Sequence, residues 1–157
     1  MRGTSITLEE ADTPTFMGIR QSEFVTTLTV TVSGEAHEAG VTYYMDEDQH
    51  YDLAVLSENE DKKVILRLRV GDVQAQIGSI SLGKEHQEVE IQILSTPEIY
   101  SFYCIDQGEK KFLGSARTKY LSSEVAGGFT GVVMGMYVID DKNKWAEFSK
   151  LSWIQGN

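Results

Sequence analysis

Cysteine is nearly missing from this chain: Cys104 is the single one in 157 residues. No disulfide can form within the chain, and a reducing, cytoplasmic location is the expectation. Positive charge is also scarce, with 14 Lys and Arg against 24 Asp and Glu and a formal net charge of -10. A field of that sign repels nucleic acid and anionic membranes, so neither is expected as a partner. A neutral ligand such as a saccharide, or another protein surface, stays open. No apolar run approaches the roughly 18 residues that span a bilayer. The opening "MRGTSITLEE" lacks the apolar stretch of a signal peptide. Amphipathic helical periodicity is missing too. "YLSSEVAGG" allows one turn at most, because its glycines stop it.

Catalytic fingerprints are equally sparse. There is no G-x-S-x-G, no phosphate-binding loop and no dinucleotide fingerprint. "MDEDQHYD" gathers Asp46, Glu47, Asp48, His50 and Asp52, but lacks the spacing, central Gly and late Glu of a calcium loop. Lying between two strand candidates, it reads as a solvated hairpin turn. His37, His50 and His86 fall in polar turn segments without paired metal spacing, and are expected at the surface. Cys104 lies in a strand candidate with no CxxC, and reads as a buried inert thiol. Most carboxylates lie in charged turns or on polar strand faces, where a near-normal pKa makes a poor general acid. No catalytic residue, metal site or cofactor is therefore expected.

What the chain does have is a period of two. In "KVILRLRV", Val64, Leu66, Leu68 and Val70 share one face, with Ile65, Arg67 and Arg69 on the other. "EVEIQIL" places Val89, Ile91 and Ile93 inward, and "FVTTLTVTV" does the same with Leu28, Val30 and Val32. This is the pattern of half-buried antiparallel strands. Further candidates are "GVTYYM", "YDLAVL", "DVQAQI", "IYSFYCI", "KFLGSA", "GVVMGMYVI" and "WAEFSKLSWI", separated by polar turns such as "SENEDKK", "DQGEKK" and "DDKNK". Ten or so short strands predict an all-β, two-sheet antiparallel sandwich. At 41% apolar and 24% charged residues, with no linker or repeat, residues 1–157 are expected to form one sandwich domain.

Four ordered blocks carry a family resemblance: "TPTFMGIRQ", "EAGVTYYMDEDQHYDLAV", "YLSSEVAGGFTGVVMGMY" and "AEFSKLSW". Together they resemble the C-terminal domain of glycoside hydrolase family 43 enzymes, of the β-xylosidase and α-L-arabinofuranosidase type. The resemblance implies a concanavalin A-like jelly roll, itself without catalytic carboxylates. It packs on an N-terminal β-propeller, absent from this chain, that acts on xylo-oligosaccharides or arabinosyl side chains in xylan degradation. It further implies that the loop Gly127, Gly128, Phe129, Thr130 and Gly131 leans into the propeller's pocket. On the residues alone, Phe129 either packs into its own core or projects; the resemblance points to projection. The sequence departs from the family at Lys110 and Lys111, where relatives usually carry a Trp, and at Ser149 and Lys150. A lectin-like module binding sugar on its own sheet is the alternative, with Tyr44 and Tyr51 as possible sugar-contacting aromatics, although packing roles suit both.

Overall fold

Alternating side chains close into two stacked sheets. The structure, a computed structural model, describes residues 1–10, 14–84, 86–121 and 131–156. Its strands are β1 (Thr15–Arg20), β2 (Thr26–Gly34), β3 (Glu38–Asp46), β4 (Gln49–Glu58), β5 (Asp61–Val70), β6 (Val73–Gly83), β7 (Glu88–Ser95), β8 (Ile99–Asp106), β9 (Glu109–Arg117), β10 (Val133–Ile139) and β11 (Ala146–Gln155). One sheet has the order β1-β10-β3-β4-β5-β6, the other β11-β2-β7-β8-β9. All neighbours run antiparallel. A 3-10 turn, Thr118–Leu121, is the one helical element among the described residues.

The expected inward faces are the observed ones. Val64 and Leu66 of β5, Val89, Ile91 and Ile93 of β7, and Leu28, Val30 and Val32 of β2 meet in the main core, against which Leu68 and Val70 also pack. Of the polar turn segments, "SENEDKK" and "DQGEKK" close the β4-β5 and β8-β9 hairpins, whereas "DDKNK" crosses from one sheet to the other. Asn59 and Glu60 both have positive φ, 51° and 71°, the backbone of a tight turn whose twist matches the strands it joins.

The outer face of the six-stranded sheet is not left to solvent. The first residues pair with the far end of the chain: Arg2 bridges to Trp145 and Thr4 to Ile139. The following segment then crosses the sheet, with Leu8 buried against Ala54, Ile65 and Tyr137, and reaches β6, where Gln74 Nε2 donates to Glu9 Oε1. Phe16 and Tyr44 pack against the same cluster. Phe16 lies over Gly135, where a β-carbon would fall 2.4 Å from its ring, so a side chain there would displace it. Burying a Leu such as Leu8 stabilises by about 1.5–3 kcal/mol. The second, smaller core makes this a covered sheet rather than an open platform.

Candidate functional site

Of the five loop residues singled out in the sequence, Gly127, Gly128, Phe129 and Thr130 lie outside the described residues. Gly131 is described, and marks where the chain returns to β10. A β-carbon on Gly131 would meet Arg20 Nη1 at 2.8 Å, so the Arg20 side chain lies directly over this return point. The adjoining backbone is fixed by Gln21, whose N–H donates to Val132 O at 2.8 Å. Gln21 Oε1 accepts in turn from the Tyr100 hydroxyl at 2.8 Å. The "RQ" of "TPTFMGIRQ" thus sits at the root of the "GGFTG" segment.

The two candidate tyrosines part company. Tyr51 faces the main core and is wholly buried. Its ring packs edge-on against Tyr100 and Phe102, and its hydroxyl donates to Arg117 O at 2.7 Å. Tyr44 is half-buried on the outer face, stacked on His50 with ring centroids 5.7 Å apart and packed on Phe16 at 5.8 Å. Burial, and then the nearby carboxylates of Glu47, Asp46, Asp52 and Asp48, push its hydroxyl up to about 12. Tyr44 thus packs against His50 and Phe16 on the outer face.

His50 corrects the sequence reading. It is wholly buried in β4, as is Asp52, and of "MDEDQHYD" only Glu47 and Asp48 form the turn, with Asp48 exposed. Both were read as part of a solvated turn, but they lie within β4 (Gln49–Glu58), on a face that is covered. A network of polar groups lies beneath the N-terminal segment. Asp52 Oδ1 accepts from the Thr42 hydroxyl at 2.7 Å and faces His50 Nδ1 at 2.8 Å. Its Oδ2 accepts from Arg67 Nε at 3.0 Å. Arg67 Nη2 also donates to Glu38 Oε1, which accepts from the Tyr137 hydroxyl at 2.6 Å. His50 Nε2 has no hydrogen-bond partner among the described residues.

Electrostatics fixes what this cluster can do. Burial alone would raise the Asp52 carboxyl, but the hydrogen bond and charge of His50, then Arg67 and Thr42, hold it below the usual carboxylate range. Burial opposes the Arg67 charge as well, yet Tyr137, Asp52 and Glu38 around it outweigh this and raise its pKa further. Burial, then Glu38 and Asp52, keeps the Tyr137 hydroxyl protonated far above its ordinary value. Asp52 is therefore a permanent carboxylate with its oxygens occupied, and cannot deliver a proton at neutral pH. The cluster is a brace joining β3, β4, β5 and β10. Sequence spacing did not reveal it, although opposite charges recurring on one face, Glu38, Asp52 and Arg67, were the available signal.

His37 is exposed, as read. His86 is half-buried between Leu82 O and Asp106 Oδ1, each at 2.8 Å. Cys104 is buried, and burial followed by Asp106 pushes its thiol up to about 11, as an inert core thiol requires. Among the described residues no group of three or more His, Cys, Asp or Glu is placed to hold a metal ion.

A two-sheet antiparallel jelly roll with one face closed by its own N-terminal segment defines the class: a concanavalin A-like sandwich. The model of the β-xylosidase C-terminal concanavalin A-like domain matches residues 1–153. The chain belongs to this family of C-terminal domains of glycoside hydrolase family 43 enzymes. It is 33% identical over 141 residues to the non-reducing end α-L-arabinofuranosidase BoGH43B of Bacteroides ovatus, covering 87% of this chain and 26% of that protein. The solved Bacteroides ovatus xyloglucan-locus GH43B superposes with a TM-score of 0.82 at 30% identity, over 95% of this chain and 32% of the other. A GH43_12 protein from a capybara gut metagenome gives 0.81 at 26% identity, over 88% and 28%. BlXynB of Bacillus licheniformis shares the fold, with a TM-score of 0.86 at 15% identity over 99% and 32%. The chain thus spans about a quarter to a third of the length of these relatives.

Proposed function

We propose that this sandwich serves a family 43 glycosidase of the β-xylosidase or α-L-arabinofuranosidase type, packing on its catalytic propeller and helping to close the substrate pocket. The observation that carries the reading is the family match over residues 1–153 together with relatives in which such a domain is only a quarter to a third of the chain. In this reading the substrate is a xylo-oligosaccharide or an arabinosyl side chain, the setting is xylan breakdown in the cytoplasm, and Phe129 forms part of the pocket wall. A Phe there excludes water and fixes a sugar ring without doing chemistry. The close approach of Arg20 to Gly131 supports it, because it gives the segment a fixed root. The burial of Tyr51 and the covered outer face speak against a lectin-like module on that sheet.

Phe129→Ala tests the reading. A projecting Phe costs the isolated chain no more than about 0.5 kcal/mol, while kcat/KM of the parent enzyme falls at least tenfold. A loss of about 3–5 kcal/mol in denaturant melts of the isolated chain identifies a core Phe and overturns the pocket role.

A further inference from the structure

We infer that the edge formed by β1 and the neighbouring part of β11 is the surface on which the catalytic domain of the parent polypeptide seats. This rests on the function just proposed and adds the surface used. Four strands end the two sheets: β1, β6, β9 and β11. An exposed edge offers unpaired backbone to any other strand, and proteins blunt such edges with bulges and lysines. Three of these edges are blunted. β6 breaks register twice against β5, between Lys62 and Lys63 and between Leu66 and Arg67. β9 breaks register against β8 and carries Lys110 and Lys111. β11 bulges between Ser149 and Ser152, with Lys150 at a φ of 52°. β1 has neither device. It pairs with β10 in unbroken register from Thr15 to Arg20 and contains no lysine.

The side chains of that edge are apolar and open. Met17 stands opposite Met136 and Ile19 opposite Met134, and both partners pack in the main core. Met17 and Ile19 thus belong to the core-facing side, yet are 62% and 53% exposed. The opposing sheet has one strand fewer and does not cover them. Leu151 on β11 is 55% exposed, and Phe24, in the crossover between β1 and β2, is 69% exposed. The crossover is tied to the end of β11 by the Gly156 N–H, which donates to Val25 O at 2.9 Å. An open edge flanked by exposed Met, Ile, Leu and Phe suits a partner that is apolar and permanently attached. The same edge ends at Arg20 over Gly131. A domain that receives the segment returning at Gly131 must therefore also face β1. The relatives carry two-thirds or more of their length outside this domain, which supplies that occupant.

Thiol footprinting of the parent polypeptide tests the surface, since Cys104 is buried. Met17→Cys, Ile19→Cys and Leu151→Cys report on the edge. Val73→Cys and Phe112→Cys, at positions 68% and 59% exposed, are the controls. Labelling is read peptide by peptide with iodoacetamide. The expected result is at least tenfold slower labelling at the three edge positions than at the controls, unchanged on dilution. Labelling as fast as at the controls overturns the inference. Protection that disappears on dilution overturns it as well, because it identifies a second copy as the occupant. Turnover of Phe129→Ala in the same polypeptide separates the two proposals. An open edge with impaired turnover moves the docking surface elsewhere and leaves the pocket role standing. A protected edge with unchanged turnover does the reverse.

Discussion

Removing the Arg67 guanidinium should destabilise this sandwich, and by less in acid than at neutral pH. Arg67 bonds two carboxylates, Asp52 and Glu38, both buried. In Arg67→Met the stem volume is largely kept, but Asp52 Oδ2 loses its donor and Glu38 keeps only Tyr137. Breaking a buried ion pair in this way costs about 3–5 kcal/mol, or roughly 6–20 °C in Tm for a chain of this size. In the wild type, Asp52 is held below its ordinary range. Its contribution is therefore complete above the unfolded value of about 3.9, and is lost only as pH falls through the lower folded value. In the variant the Asp52 carboxyl loses one of the groups that outweigh burial, so its folded value rises, while His50 and Thr42 still hold it. The variant's native state therefore takes up this proton at a higher pH than the wild type's, and the stability difference between the two narrows as pH falls through the carboxylate range. Urea melts of both proteins at pH 7 and pH 3 measure this. A loss below about 1 kcal/mol at pH 7, or parallel pH profiles for the two proteins, would refute the reasoning.

Other perturbations probe neighbouring features. Leu8→Ala should cost about 2–5 kcal/mol in denaturant melts, because Leu8 belongs to the smaller core on the outer face. Tyr137→Phe should cost about 1.5–3 kcal/mol, the range for a hydrogen bond to a charged group, with near-ultraviolet circular dichroism otherwise retained. The Cys104 thiol, pushed up to about 11 by burial and then by Asp106, should resist Ellman's reagent at pH 8 and react at the rate of unfolding.

Much of the sandwich was legible because strands such as β2 and β7 bury mainly one face. Val89, Ile91 and Ile93 alternate with Glu88, Glu90 and Gln92, and a period of two needs no further information to become a strand. The same rule hid the brace. Alternation assigns Glu38, Asp52 and Arg67 to the face away from the core, but cannot say whether anything covers that face. The cover is the segment around Leu8, whose sequence has no periodicity of its own. His50 was misread because the acidic neighbours Asp46, Glu47 and Asp48 mark a turn, whereas β4 already begins at Gln49. β1 was read only within a motif, since six residues containing Gly18 and Arg20 carry a weak strand signal. At the candidate site, the "GGFTG" block was legible as a motif. The link from Arg20 to Gly131 joins positions 111 residues apart in the sequence, and no local pattern encodes it.

The pairing of the first residues with the last strands has a consequence for how the molecule is made. Gly3 N–H donates to Lys144 O, and Asp140 N–H donates to Thr4 O, each at 2.9 Å. On the ribosome, where synthesis runs from the N-terminus, residues 1–10 emerge before the rest of the sandwich and have no partner within it until β10 and the 140–145 turn follow. The leading segment must wait through the synthesis of nearly the whole sandwich, and contacts this distant in sequence form late. Until then the apolar groups Ala54 and Ile65 on the outer face stand exposed on a nascent chain. The outer face is thus the last part to be sealed, and the stage before sealing is when this protein is most exposed to aggregation and to chaperones.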